Sequence, residues 1–204
     1  VRPAVSAIFP AFTARFEGTV QTMYVDKKNL VTVGRGNLID PYGYLVTRLP
    51  WERIADGLPA NSAEVQADWT RVKEGGFADS GWLAARVGAI VQLSTSAVDG
   101  LTIEKLASNE ADLAAAWSWW AALPACAQLA THSIAWACGE EGRTGVERGF
   151  PRYIAALQIG DWATASYEAH MDETDNPGLA PRNAANRALL LACATTDPDV
   201  VAWP

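Results

Sequence analysis

A periodic apolar face running through residues 102 to 123 constrains this chain more than any other feature. Ile103, Leu106, Leu113, Trp117 and Trp120 recur at steps of three and four residues when Glu110 is counted in the series. Those steps put side chains on one face of an α-helix, here about six turns long. Thr102 is the expected N-cap, since a short hydroxyl side chain can take up a free N–H of the first turn. Pro124 ends the helix because its ring blocks further intrahelical bonding. Glu110, on the apolar stripe, requires either a partner or a place where the helix crosses solvent. The helix divides the sequence into a glycine-punctuated, β-prone part before it and a largely apolar helical part after it.

The first part opens with a short helix over residues 6 to 17, with Pro10 near its first turn. Phe9, Phe12 and Phe16 form its apolar face, and Gly18 offers a helix end. Residues 19 to 38 read as a β-hairpin followed by a further strand or turn, with Lys27-Lys28-Asn29 as the polar turn. Asp40-Pro41-Tyr42-Gly43-Tyr44 is a strong turn signal. Between 44 and 100, a helix is predicted over 62–75 with Ser62 as N-cap and Gly75-Gly76 as stop. A second helix, broken by Gly81 and Gly88, is predicted over 79–93. After Pro124, residues 126 to 138 read as a helix that is apolar all round. Shorter helices follow at 151–159 and 161–171, and a last one from Arg182 to about Thr195.

Composition narrows the possible functions. A chain of 204 residues, half of them apolar, can bury a substantial core as one domain of one or two lobes. No run of 18 apolar residues occurs, so no membrane span is expected. The first six residues lack the basic and apolar segments of a secretory signal, so export by another route or a trimmed start is expected. Cys126, Cys138 and Cys193, an odd count in apolar helical contexts, are expected to be buried thiols rather than a disulfide framework. With only His132 and His170 and no close ligand pairs, no metal site and no cofactor are expected, and His132 reads as a packed helix residue. A formal net charge of −7 argues against nucleic acid, which needs clustered Lys and Arg. The nine tryptophans are either packing residues or faces that stack on sugar rings.

The chemistry concentrates in the first forty residues. Phe16-Glu17-Gly18, Tyr24-Val25-Asp26 and Val31-Thr32-Val33-Gly34-Arg35-Gly36-Asn37 set a carboxylate at a helix end, a carboxylate in a hairpin and a hydroxyl in the returning strand. The spacings between Glu17, Asp26 and Thr32 are nine and six residues. Two carboxyl groups can share the cleavage of a glycosidic bond, one giving a proton to the leaving oxygen and one acting on the nucleophile. Burial keeps a carboxyl protonated while solvation keeps it charged. Glu17 is expected against the apolar stripe, and Asp26 in water.

This stretch resembles the catalytic region of the T4-type phage lysozymes, glycoside hydrolase family 24. The resemblance covers about 1–40 and 101–203, with an unmatched middle. Further along, Thr144-Gly145-Val146 with Gly149-Phe150 resembles a turn of that family, with one extra residue. The joint Gly160-Asp161-Trp162 resembles it too. The resemblance implies an α+β, mainly α, two-lobed fold in one domain, 1–204. The small lobe would be 18–100, with an insertion at about 44–100 able to widen or roof a cleft. The connecting helix would be 101–123, and the helical lobe 124–204 joined by 6–17.

The resemblance further implies Glu17 as proton donor, Asp26 as the residue that orients or deprotonates the attacking water, and Thr32 as the hydroxyl that helps hold it. Product inversion would follow, with the two carboxyl groups about 6.5–9.5 Å apart. Tyr24, Gly36 and Asn37 would border the substrate, Tyr24 either touching sugar or packing under the hairpin. Arg182, or Arg187 one turn on, would be the cation beside Glu17. Two departures stand out. Asn37 replaces the His that anchors the turn through a carboxylate in most of the family, and Asn cannot form that ion pair. The acidic charge differs from the basic charge of many phage lysozymes and weakens long-range attraction to an anionic wall.

The activity implied is a muramidase acting on peptidoglycan glycan strands. Alternatives are a lytic transglycosylase on the same substrate, or a non-catalytic wall-binding or virion structural module. The setting is either a phage endolysin or an antibacterial effector with an immunity protein. The chain would be a monomer made in the cytoplasm and acting in the periplasm or cell wall.

Overall fold

The computed structural model describes residues 1–77, 81–174, 176–201 and 203. With 59% helix and 9% strand, the chain is α+β and mainly helical. It divides into two compact units, Glu17–Thr102 and Val1–Phe16 with Ile103–Pro204. No helix among the described residues is long and apolar enough to cross a membrane.

The smaller unit is built on three antiparallel strands in the order β1 (Val20–Val25), β2 (Val31–Gly34) and β3 (Asn37–Leu38). The β1–β2 turn closes through Asp26 N–H to Leu30 O at 3.0 Å, and Asn29 takes the left-handed conformation, φ 58°. Asn is among the few residues with a side chain that tolerate it. The rest of the unit comprises α2 (Tyr44–Thr47), β4 (Glu52–Arg53), α3 (Ser62–Glu74), α4 (Gly81–Arg86) and β5 (Val91–Gln92). β4 and β5 pair as a second small sheet.

The segment 44–100 packs into the smaller unit's core. Val46, Trp51, Val65, Val72, Val91, Leu93 and Val98 share one core with Met23, Val25, Val31 and Val33 of the hairpin. A three-stranded sheet this short cannot bury its own apolar face, and the later segments cover it. The N-cap of α3 is Asn61, not Ser62: its side chain accepts the Ala63 and Glu64 N–H groups while Glu64 returns a bond to the Asn61 N–H. The helix expected over 79–93 is short, ending at Arg86 before β5; its expected start at 79–80 lies outside the described residues.

The larger unit centres on α6 (Ala125–Ala137), every residue of which is buried from Ala125 to Trp136. Around it stand α1 (Pro3–Glu17), the later part of α5 (Thr95–Ala116), α7 (Gly142–Gly149), α8 (Pro151–Ile159), α9 (Trp162–Glu168) and α10 (Ala180–Ala192). Helix α1 begins at Pro3, where a proline suits the first turn, so Pro10 lies inside it rather than near its start. The stretch 142–149 is a helix rather than a turn, and Gly145 is required there, since a Cβ would come within 2.7 Å of Cys138 Cβ.

The long helix is displaced from its expected bounds. It starts at Thr95, where Ser94 Oγ accepts the Ala97 N–H at 3.2 Å, and stops at Ala116. Thr102 is therefore interior, its hydroxyl donating to Val98 O at 2.9 Å. Ile103 is 37% exposed, off the buried face. Trp117 and Trp120 still reach the core because the chain tightens into a 3-10 turn at Trp120–Ala122, which keeps three-residue spacing on one side. Glu110 has its partner: His132 Nε2 lies 2.9 Å from its carboxylate.

Candidate active site

Glu17 closes α1, and Gly18 (φ 69°) turns the chain into β1. In β1–β2 pairing Tyr24 stands directly opposite Thr32. Residues two apart along a strand share a face. Tyr24, Asp26 and Thr32 therefore occupy the same face of the hairpin. The Tyr24 hydroxyl is pushed up to about 12 by burial first, then by the negative charge of Glu17 and, more weakly, of Asp26. The Gly36 N–H acts in the opposite sense by hydrogen-bonding to the tyrosine oxygen. Tyr24 thus lies in the field of both carboxylates. With its oxygen taken by Gly36, its own hydrogen is available to a carboxylate or a sugar oxygen.

The environments of the two acids are the reverse of those expected. Glu17 is exposed, being the last residue of its helix with no following turn to cover it. Asp26 is half-buried, drawn in by the turn it closes. Its Oδ1 accepts the Lys28 N–H at 2.8 Å and the Leu30 N–H at 2.9 Å. Oδ2 takes no hydrogen bond among the described residues. Thr32 is buried, and its hydroxyl donates to Leu30 O at 3.1 Å. Its oxygen can therefore only accept, and a water held there would point one hydrogen at Thr32 and keep the other for a base.

Asn37 is turned inward rather than toward a ligand. It is buried, and its Oδ1 accepts the Arg35 N–H at 3.3 Å. Gly34 (φ 71°) permits this, because a Cβ there would lie 3.0 Å from Asn37 Oδ1 and 3.1 Å from Val98 Cγ1. Gly36 (φ 80°) presents its N–H to Tyr24. Between the glycines, Arg35 is 4% exposed. Its guanidinium contacts Asp99 at 2.7 Å and Thr102 Oγ1 at 2.9 Å, both on α5. The ion pair that Asn37 cannot make is thus supplied by its neighbour, an anchor the sequence reading missed. The available signal was a lone arginine inside an otherwise apolar strand-and-turn run.

Arg182 belongs to the larger unit. It is 3% exposed, donates to Ser133 O at 3.1 Å, and lies over the ring of Phe16 at 5.0 Å. Phe16 immediately precedes Glu17 in α1. Among the described residues, no group of three His, Cys, Asp or Glu side chains is arranged to hold a metal ion. No family profile, curated protein or solved structure matches this chain.

Proposed function

We propose that this chain is a peptidoglycan hydrolase, an N-acetylmuramidase on a lysozyme-like two-lobed fold. It would cleave the β-1,4 bond between N-acetylmuramic acid and N-acetylglucosamine with inversion. One observation carries the reading: a tyrosine hydroxyl lies in the field of two carboxylates, opposite a threonine whose oxygen can only accept. Glu17, at a helix end where a bound strand would cover it, gives its proton to the bridging oxygen as the glycosidic bond breaks. A water donates one hydrogen to Thr32 and loses the other to Asp26 as its oxygen bonds to the anomeric carbon. Tyr24 donates to a sugar oxygen or to the carboxylate that has lost its proton. The resemblance proposes Arg182 as the cation that stabilises the ionised acid after transfer. The glycan strand is the partner, in the periplasm or wall, with the chain a monomer acting as endolysin or as an effector met by an immunity protein.

One observation favours a second reaction on the same strand. Asp26 is half engaged by its own turn, as a purely structural aspartate would be. A lytic transglycosylase needs only the acid, with a sugar hydroxyl closing the ring. Mass analysis of fragments released from purified peptidoglycan separates the readings. Hydrolysis gives reducing ends, lost to at least a hundredfold in Glu17→Gln and Asp26→Asn, the size typical of a removed general acid or base. Anhydro ends surviving Asp26→Asn would establish the transglycosylase. Wall binding by wild type and Glu17→Gln alike, with no fragments from either, would leave a binding module.

A further inference from the structure

Where β1 begins, the smaller unit carries an open cleft of about 350 Å³. Thr19 and the first residues of β1, Val20, Gln21 and Thr22, line it together with Gln92 of β5 and Arg86 at the end of α4. Helix α4 packs on β1 here, and the Leu93 N–H donates to Gln21 O at 2.8 Å, which joins β5 to β1. The lining offers hydroxyls, amides and one guanidinium, and no carboxylate. That guanidinium is exposed and makes no hydrogen bond or ion pair among the described residues. In the same unit Arg53, Arg71 and Lys73 each hold a carboxylate, as the acidic excess of the chain favours. Thr22 lines the cleft while only 4% exposed, and its hydroxyl has no partner among the described residues. Burying a hydroxyl unpaired costs free energy, so such a group calls for a partner that the chain itself does not supply.

We propose that this cleft is a subsite for the free carboxylate of a short peptide. The fork of Arg86 matches the two oxygens of a carboxylate. A single cation suits a single charge, whereas a phosphate monoester carries about two. The amides of Gln21 and Gln92 can each pair with a peptide N–H or C=O, and a ligand oxygen against Thr22 gives its hydroxyl the partner it lacks. The net charge of −7 repels such a ligand at long range, so binding is short-ranged and weakens as salt screens the Arg86 contact. The source of the peptide rests on the proposed function. Stem peptides of peptidoglycan hang from N-acetylmuramic acid and carry free carboxylates, and Thr19 follows Glu17 by two residues. The cleft then favours peptide-bearing strands over bare glycan.

The test titrates the isotope-labelled full chain with acetyl-alanyl-alanine, the same peptide with its carboxylate amidated, acetate, and inorganic phosphate, and follows backbone amide shifts. The free-acid peptide should move the amides of Gln21, Thr22 and Gln92, and amidation should weaken it roughly tenfold or more. Arg86→Gln should weaken the free acid by a similar factor and leave the amidated peptide unchanged. Thr22→Val should weaken the free acid about threefold without lowering the melting temperature, because an orphaned hydroxyl holds nothing in the fold. A threonine with a purely structural role would lose stability and not binding. Equal binding of the two peptides, no effect of Arg86→Gln, or no binding at all would overturn the proposal. Acetate or phosphate binding as tightly as the peptide would make this a site for small free anions and overturn the peptide assignment. Fragment release from peptide-free glycan reads the proposed activity separately. Peptide binding without fragments would keep the cleft and remove the hydrolase; fragments without peptide binding would remove the cleft and keep the hydrolase.

Discussion

In the smaller unit, three carboxylates that are buried or half-buried hold backbone N–H groups. Asp26 takes those of Lys28 and Leu30, Asp40 takes that of Val31 at 3.0 Å, and Asp68 takes that of Val91 at 3.4 Å. Two of them also meet cations, Asp40 with Lys73 at 2.6 Å and Asp68 with Arg71 at 2.7 Å. In the larger unit the half-buried carboxylate of Glu110 meets a side chain instead, His132 at 2.9 Å, Thr131 meets Tyr153 at 2.7 Å, and the Met171 N–H is held by an amide, Asn183, at 3.0 Å. Helices satisfy their own backbones, whereas strands of two to six residues leave N–H groups that the ladder does not reach. Charge in the smaller unit is therefore structural, and it sits where the candidate catalysis is.

The sharpest way to break this comparison is at Arg35. Asp99→Ala leaves a guanidinium that is 4% exposed without its counter-ion, and the smaller unit should lose about 3 kcal/mol. Arg35→Met leaves behind a carboxylate that is 43% exposed and readily hydrated, so it should cost less. Denaturant unfolding of both variants checks the order. Equal costs would mean that Arg35 acts through packing alone, and the charged anchor of the turn would be lost as an explanation.

That anchor also marks the limit of what the sequence discloses. The order helix, hairpin, helical remainder was legible because Phe9 and Phe12, the β-prone runs and the apolar stretch 125–137 carry local periodicities. Glu17, Asp26 and Thr32 were legible as residue types at fixed spacings. Their surroundings were not, since exposure of Glu17 and capture of Asp26 depend on where a helix ends and how a turn closes. The displaced ends of α5 have the same origin: apolar spacing continues through Trp117 and Trp120 whether the backbone is α or 3-10. Arg35 and Asp99 pair across more than sixty positions, which a single sequence does not connect.

A smaller effect separates the units by pH. His132 is fully buried, and burial first, against the pull of Glu110, holds its imidazole below the ordinary histidine range. It is neutral in the fold, with its Nε2 hydrogen directed at Glu110. The unfolded chain takes up a proton near pH ~6.5 and the folded chain does not, so stability is fully present above that pH. It falls as pH drops from ~6.5 toward the folded value, by up to about 1.4 kcal/mol per unit. Hydrogen exchange of α6 amides across this range should show the loss in wild type and not in His132→Gln. Asp40 is held below the usual carboxylate range by Lys73 and the Val31 N–H, against burial, so its contribution persists until lower pH, below ~4. A loss in both units beginning together near neutrality would contradict this assignment.

The smallest expected effects come from matched caps, one in each unit. Asn61 caps α3 in a reciprocal box with Glu64, and Asp161 caps α9 by accepting the Thr164 N–H at 3.0 Å and the Thr164 hydroxyl at 2.7 Å. Replacing either by alanine should cost about 1 kcal/mol. The α3 amides should then exchange about fivefold faster in Asn61→Ala, and the α9 amides by the same factor in Asp161→Ala. Because α3 covers the hairpin core through Val65 and Val72, the first change should also speed exchange in β1 and β2. The second should leave the hairpin unchanged, since the main contacts of α9 are with α8 and α10. If Asn61→Ala disturbs α3 alone, the segment 44–100 is not bound to the hairpin as one cooperative body, and the shared apolar core does less to hold the candidate site than its burial indicates.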